Sequence, residues 1–396
     1  MKCEMKLLSP LHVGNGNELK MVDFYLDEKT YKIKFINFDK FINYCIKKDI
    51  DLTTKEIRNK EYKTGEDFSI TKFMNKKRIY LEEVEGLISY SVPAIIEHRN
   101  RESEFAIREF IKCGGAYIPG SSIKGAIRTA FMWHYLNEKP DGKEIVLKSL
   151  EPWLQKNKIS GHLFKSIDDN ISAVVFGKDP RNDIFRIIRV SDTNLIKYEN
   201  LEVSEIKIVG NSQEIPIYVE NMKAGDNLVF DIDFDEFLLN DKEASSCFKN
   251  LDCFNLMNIK SVFKTCNDFS RNVIKKHLEY FWENYNCEAT VDEFEFLLNQ
   301  AKNCKDDEAI LRIGWGGGWY STTVGLMLET LPSFTTPLQG SPKNWELKKG
   351  TIREQFNLGR KPGTNKYSLN FPKTRRVTLE NKPLGWVKLR LISNLN

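Results

Sequence analysis

The sequence has no Cys-x-x-Cys pair, although it carries eight cysteines: Cys3, Cys45, Cys113, Cys247, Cys253, Cys266, Cys287 and Cys304. Their spacings fit no zinc framework, and they read as reduced, mostly buried thiols of a cytosolic chain. No stretch reaches the roughly 18 apolar residues that a membrane-spanning helix needs. The opening run MKCEMKLLSPLHVGNG meets Asn and Gly before an apolar segment attains signal-peptide length. A cytoplasmic location is therefore expected. Histidine is scarce, at five residues: His12, His98, His134, His162 and His277. None sits with Lys or Tyr in a short-range acid–base constellation, and no carboxylate cluster suggests a metal. Neither a catalytic group nor a metal nor a cofactor is expected.

What is present is ordinary in bulk and uneven in distribution. The 396 residues are 41% hydrophobic and 29% charged, as in a soluble globular protein. Net charge is only +4, but residues 355–379 hold Arg360, Lys361, Lys366, Lys373, Arg375 and Arg376 with no acid, leaving the remainder at −2. A positive field concentrated in one segment suits an RNA-binding surface. A solvated basic loop would look the same.

Alternating apolar residues predict a strand at 2–8 and a hairpin over 22–36, followed by a short helix at 38–48. Residues 53–85 are charged and weakly periodic, as in an inserted, partly irregular segment. Further strands are predicted at 105–111, 184–190, 228–234, 309–313 and 384–391, with a helix from Ser121 and mainly helical chain over 243–303. Thr290 and Glu293 have capping-box spacing. Strands interspersed with helices and long insertions predict an α+β fold. Two modules are expected, 1–210 and 211–396.

Three segments carry chemistry. In the first, Ile118 to Arg128, Pro119-Gly120 turns the chain, Ser121 or Ser122 can cap a helix, and Ile123, Ile127, Ala130 and Phe131 form an apolar stripe. Lys124 and Arg128 fall on another face, so the helix start with its two cations suits a phosphate. It is not a Walker loop, because Ser121 stands where Lys is required. A well-capped amphipathic helix would explain the same spacing. The second segment is Gly314-Trp315-Gly316-Gly317-Gly318-Trp319-Tyr320. Its glycines permit close backbone approach, and its aromatics suit either base stacking or core packing. As a dinucleotide fingerprint it fails, with Trp319 at the last glycine position. The third is the basic segment ending in Phe371-Pro372-Lys373-Thr374-Arg375-Arg376, whose arginines suit phosphates and stacked bases.

With the opening Ser9-Pro10-Leu11-His12-Val13-Gly14-Asn15-Gly16, these segments resemble the RAMP superfamily of CRISPR proteins. The tail, FPKTRRV followed by PLGWVKL, narrows the resemblance to the fifth-subunit family of type III-A Csm effector complexes. The resemblance spans Leu7 to Leu389. It implies RRM-like (ferredoxin-like) modules with long, partly helical insertions. It also implies a non-catalytic subunit that binds CRISPR RNA, caps its 3′ side beside the repeating backbone subunit, and supports 3′ maturation while separate nucleases trim. Carried onto this chain, the motif positions are Gly120, Ser121, Ser122, Lys124, Arg128 and Gly314 to Tyr320, with Arg360, Lys361, Lys373, Arg375 and Arg376 as basic partners. His12, Gly14 and Gly16 would shape the first loop. The alternative is a stand-alone metal-independent endoribonuclease, since some members of the superfamily cut repeat RNA with a histidine.

Overall fold

The first strand, Lys2–Leu7, alternates strictly: Cys3, Met5 and Leu7 point into the core, while Lys2 and Lys6 face outward. In a computed structural model this strand is the centre of a five-stranded antiparallel sheet. The model describes residues 1–64, 67–80, 85–97, 105–154, 163–210, 216–248, 251–284, 287–335, 337–341, 344–361, 363–368 and 370–392. The sheet order is Glu308–Arg312, Trp386–Leu391, Lys2–Leu7, Asn227–Phe234 and Ile188–Val190. Met5 lies opposite both Leu389 and Leu228, so the apolar alternation of three strands falls on one face. The helices Gly120–Glu138 and Ile259–Asn284 pack on that face and against each other. They contribute Ile123, Ile127 and Phe131, and Phe263, Cys266, Phe269 and Ile274, to the same core. One sheet face covered by two helices is the ferredoxin-like arrangement the sequence predicts.

A second sheet is larger and mixed. Its order is Gly14–Leu19, Ile107–Phe110, Ile217–Met222, Leu201–Val209, Ile88–Ile95, Lys32–Ile36 and Phe24–Asp27. Residues 203–204 pair in parallel with Ile88–Ile95, and residues 206–209 pair antiparallel with Arg375–Thr378. The basic segment thereby enters the sheet. Both sheets draw strands from either side of residue 210, so a division of the chain at 210 does not coincide with the division into sheets.

The predicted hairpin is present as Phe24–Asp27 and Lys32–Ile36 in register, and the helix Phe38–Lys47 follows. Two local readings are corrected. Within 53–85, the described residues 53–64 and 67–80 are more ordered than their composition suggests. The helical turn Lys60–Tyr62 and the helix Ile70–Lys77 bring Tyr62, Phe73 and Met74 onto Phe41 and Cys45 in a satellite core. The apolar residues there are too few to show a period, yet enough to cover one another. Thr290 does not cap its helix, which starts at Glu288 with Cys287 as N-cap; its hydroxyl donates instead to the Asn381 carbonyl at 3.1 Å. All eight cysteines are free. Among the described residues no helix is long and apolar enough to cross a membrane.

The insertion helix Leu163–Phe176 is tied to the C-terminal half through Asp168, whose Oδ1 accepts the Val324 N–H at 3.1 Å. Burial, reinforced by Asp169, pushes this carboxyl from 3.8 up to about 6. The folded protein then holds the proton more tightly than the unfolded chain. Stability therefore declines as pH rises from 3.8 to about 6 and is level above. Asp168→Asn keeps an acceptor and loses the titration. Its gain over the parent in urea denaturation should grow through that window and then stay constant; a gain independent of pH would contradict this assignment.

Candidate nucleic-acid interface

The helix Gly120–Glu138 begins one residue earlier than its serines suggest. Pro119 is the N-cap, neither Ser121 nor Ser122 makes a cap bond, and the Asp192 carboxylate accepts the Gly120 N–H at 2.8 Å. Capping here is done from 72 residues away in sequence, which local spacing cannot reveal. Gly120 is required for contact: a Cβ there would stand 2.3 Å from the Val190 carbonyl.

Lys124 and Arg128 share a face as expected, but that face is not open. Lys124 Nζ donates to the Ile188 carbonyl at 2.6 Å, and burial lowers its pKa. Arg128 donates to Asp183 at 2.9 Å and to Ser172 at 3.1 Å, with its guanidinium 3.7 Å from the Phe176 ring centroid. The expectation that both lie clear of the core is therefore corrected. They fasten this helix to the chain around 172–188, and their donors face protein.

The glycine segment is different. Arg312 ends its strand, and the chain then turns through Gly314 at φ +78°, where a Cβ would lie 2.4 Å from the His12 carbonyl. The same carbonyl accepts the Trp315 N–H at 2.8 Å. His12 is buried, its Nδ1 lies 2.6 Å from the Glu220 carbonyl, and burial lowers its pKa to about 4. The sequence suggests that His12 shapes the first loop; here its backbone carbonyl also ties down the glycine segment. Gly14 starts the strand Gly14–Leu19 and Gly16 sits exposed within it. Gly317 is right-handed and Gly318 left-handed (φ +63°), a pairing that turns successive N–H groups into an anion-sized concavity. Of the loop aromatics, Trp319 packs edge-on to Phe371 at 4.9 Å, and buried Tyr320 donates to Glu329 at 3.2 Å. Both serve the core. Trp315, half-buried like Trp319, packs against Ile206, Val219 and Leu384 and edge-on to His12.

Around Trp315 the sheet assembles a cation pair. Arg108, on Ile107–Phe110, lies 4.8 Å from the indole centroid, and Arg376, on Arg375–Thr378, lies 4.9 Å from it. Arg108 is opposite Val219 and Arg376 opposite Ile208, so the tertiary fold joins residues 268 positions apart. Arg376 Nε is buried with no hydrogen-bond partner among the described residues. Burial and the neighbouring Arg108 lower its pKa. Arg108 also pairs with Glu18 at 3.9 Å, and the two guanidiniums together still carry one more charge than that carboxylate neutralises, which suits an anion. Arg108 escaped sequence reasoning because a single Arg in a short strand carries no signal until its partners are known.

The other basic residues divide. Lys373 is exposed. Arg360 is exposed but donates to Thr364, Asn357 and Asn365, which closes its own turn. Lys361, beside it, lies in the same turn and accepts the Thr364 N–H at its carbonyl. Arg375 is buried, donating to Pro372 at 2.7 Å and to His277 at 3.0 Å. Of the histidines, His12 and His277 are buried and His134 is half-buried on its helix, while His98 and His162 lie outside the described residues. Among the described residues no group of His, Cys, Asp or Glu could hold a metal ion.

Arg128→Ala should therefore lower stability by about 1–3 kcal/mol, since it strands Asp183 and removes charged hydrogen bonds. Lys373→Ala should stay within about 0.5 kcal/mol of the parent, as exposed sites do. Chemical denaturation reads both; parental stability in Arg128→Ala would contradict the assignment.

Comparison with known proteins gives the family and the fold. The model of the RAMP superfamily matches residues 4–321. A Csm5 protein from Methanocaldococcus jannaschii is 27% identical over 99% of this chain and 88% of its own length. A Csm5 protein from Streptococcus thermophilus is 28% identical over 58% of this chain and 63% of its own. Among solved structures, that of T. onnurineus Csm5 aligns with TM-score 0.68 over 97% of this chain and 99% of its own, at 24% identity. A chain of a Csm–crRNA–target RNA ternary complex aligns with TM-score 0.67 over 98% of this chain and all of its own, at 25% identity. The family match covers most of the sequence, and the two-helix, five-stranded sheet conforms to it: the chain belongs to the RAMP superfamily.

Proposed function

We propose that the chain is a non-catalytic, cytoplasmic subunit of a type III-A Csm effector complex. It binds CRISPR RNA, caps the 3′ side of that guide beside the repeating backbone subunit, and supports 3′ maturation in antiviral defence while separate nucleases trim. The likeness to two Csm5 proteins and to a chain of a Csm–crRNA–target RNA complex supports membership of such an assembly.

The observation that carries RNA binding is the half-buried Trp315 with Arg108 and Arg376 against its ring, beside the Gly317–Gly318 concavity. Guanidiniums pair with phosphates irrespective of sequence. An indole stacks on any base. The cleft therefore suits single-stranded RNA read through its backbone, and docking to neighbouring subunits would then set register. The endoribonuclease alternative needs a histidine able to exchange protons with substrate. His12 and His277 are both buried, with pKa values lowered by burial, and this favours the structural role.

The test is titration of labelled single-stranded guide RNA at several salt concentrations. Arg376→Ala should lower the slope of log affinity against log salt by about 0.7, the value for one phosphate contact on a single strand. Trp315→Ala should weaken binding by about 1–3 kcal/mol. Unchanged slope and affinity in both variants would overturn the reading, and so would specific cleavage of repeat RNA by the purified chain in EDTA.

A further inference from the structure

Behind the glycine loop lie two arginines and a histidine whose hydrogen-bond partners, among the described residues, include no carboxylate. His277, Arg312 and Arg375 are only 4%, 6% and 7% exposed. Arg312 Nε donates to the Leu384 carbonyl at 2.9 Å, Nη2 to Gly316 at 3.0 Å and Nη1 to Gly317 at 3.3 Å. Its Nη1 also lies 2.9 Å from His277 Nε2. On the ring's other side Arg375 Nε donates to His277 Nδ1 at 3.0 Å. Arg375 Nη1 holds the Pro372 and Thr374 carbonyls at 2.7 and 3.1 Å, and its guanidinium lies 4.0 Å from the Tyr280 centroid. His277 itself stacks on Phe294 at 4.9 Å.

The energetics are unusual. Burial lowers the pKa of Arg312 to about 9, aided by Arg375 and Arg376, and lowers that of Arg375. Buried guanidiniums are costly; Glu329, Tyr320 and Tyr280 offset part of that cost at Arg375, and the hydrogen bonds to backbone carbonyls tie both arginines to the segments around them. A neutral imidazole has one lone pair and one N–H, so with Nδ1 accepting from Arg375 the other nitrogen, 2.9 Å from Arg312 Nη1, is a packing contact and not a second acceptor. Most of the remaining donors end on backbone carbonyls of the two segments that meet at the cleft.

We propose that Arg375, His277 and Arg312 form a buried relay that fixes the glycine loop against the basic segment, so that both arginines are positioning residues and not RNA ligands. Arg312 pulls the Gly316 and Gly317 carbonyls inward, which fixes where the loop's N–H groups face. Arg375 does the same for the Pro372–Thr374 backbone, from which Arg376 emerges. The meaning of this relay for RNA rests on the function proposed above; its effect on the loop does not.

Two readouts separate these levels. Without RNA, the Trp315 amide, tied to the His12 carbonyl, reports loop order by hydrogen exchange. His277→Phe keeps the stack on Phe294 and loses the lone pair, and Arg312→Lys keeps the charge and loses the fork. Each should speed exchange at Trp315 by about ten- to a hundredfold, as expected when a charged hydrogen bond is lost, while exchange in the strand Lys2–Leu7 stays as in the parent. If His277→Phe does not fold, His277→Gln, which retains an acceptor, replaces it and should give a smaller effect of the same sign. Unchanged exchange at Trp315 in the folded variants would overturn the relay. With RNA, affinity should fall at an unchanged salt slope, whereas a slope lowered by about 0.7 would make Arg312 a phosphate ligand and overturn its positioning role. Faster exchange with parental RNA affinity would leave the relay standing and remove the loop from RNA binding.

Discussion

The buried carboxylate of Glu220 anchors the structure around the cleft. It is fully shielded from solvent and receives Lys112 Nζ at 2.7 Å, Tyr90 Oη at 2.7 Å and the Phe110 N–H at 2.9 Å. Such a charge is tolerable only when every partner is in place, so the strands Ile88–Ile95 and Ile107–Phe110, with Lys112 just beyond the latter, have one arrangement about Ile217–Met222. The backbone of the same residue continues outward. Its carbonyl meets His12 Nδ1, and the His12 carbonyl receives Trp315 N–H. Arg108, two residues from Phe110, is delivered to the indole by the strand that Glu220 holds.

This explains how a chain of modest net charge can present a nucleic-acid site. Most of its conspicuous cations are internal. Lys124, Arg128, Arg312, Arg353 and Arg375 all donate to protein atoms. Arg108 and Arg376 stand against Trp315, a smaller set than the sequence offers. Inward-facing cations hold protein atoms; in the function proposed above, the outward-facing ones would meet the ligand. Burial separates the two groups, since Arg375 and Arg376 are adjacent in sequence yet point to opposite faces of one strand.

Much of the fold was legible. Strict alternation marked Lys2–Leu7 and the hairpin through Phe24 and Phe35, and a helical stripe marked Ile123, Ile127 and Phe131. These are local periodicities, and pairing did not have to be known. The sheet partnerships were not legible, because they join the first strand to the last and Leu201–Val209 to Arg375–Thr378. The site was half legible for the same reason. Glycines and tryptophan in one segment announced a loop with a ligand-facing side, and Arg376 was among the residues named. Trp319 packs on Phe371 and Trp315 on Ile206, Val219 and Leu384, contacts that the sequence does not show. Arg108 and His277 belong to the site only through tertiary contacts, and Lys124 and Arg128 left it for the same reason.

The central claim is that single-stranded RNA runs through the cleft between Arg108, Trp315 and Arg376. A cryo-EM map of the chain assembled with guide RNA and its partner subunits tests it most directly. The account predicts phosphate density within hydrogen-bonding reach of Arg108 and Arg376, a base against Trp315, and nucleotides from the guide's 3′ portion. RNA density that bypasses this cleft, for instance crossing the outward Lys2 and Lys6 face of the five-stranded sheet, would contradict it.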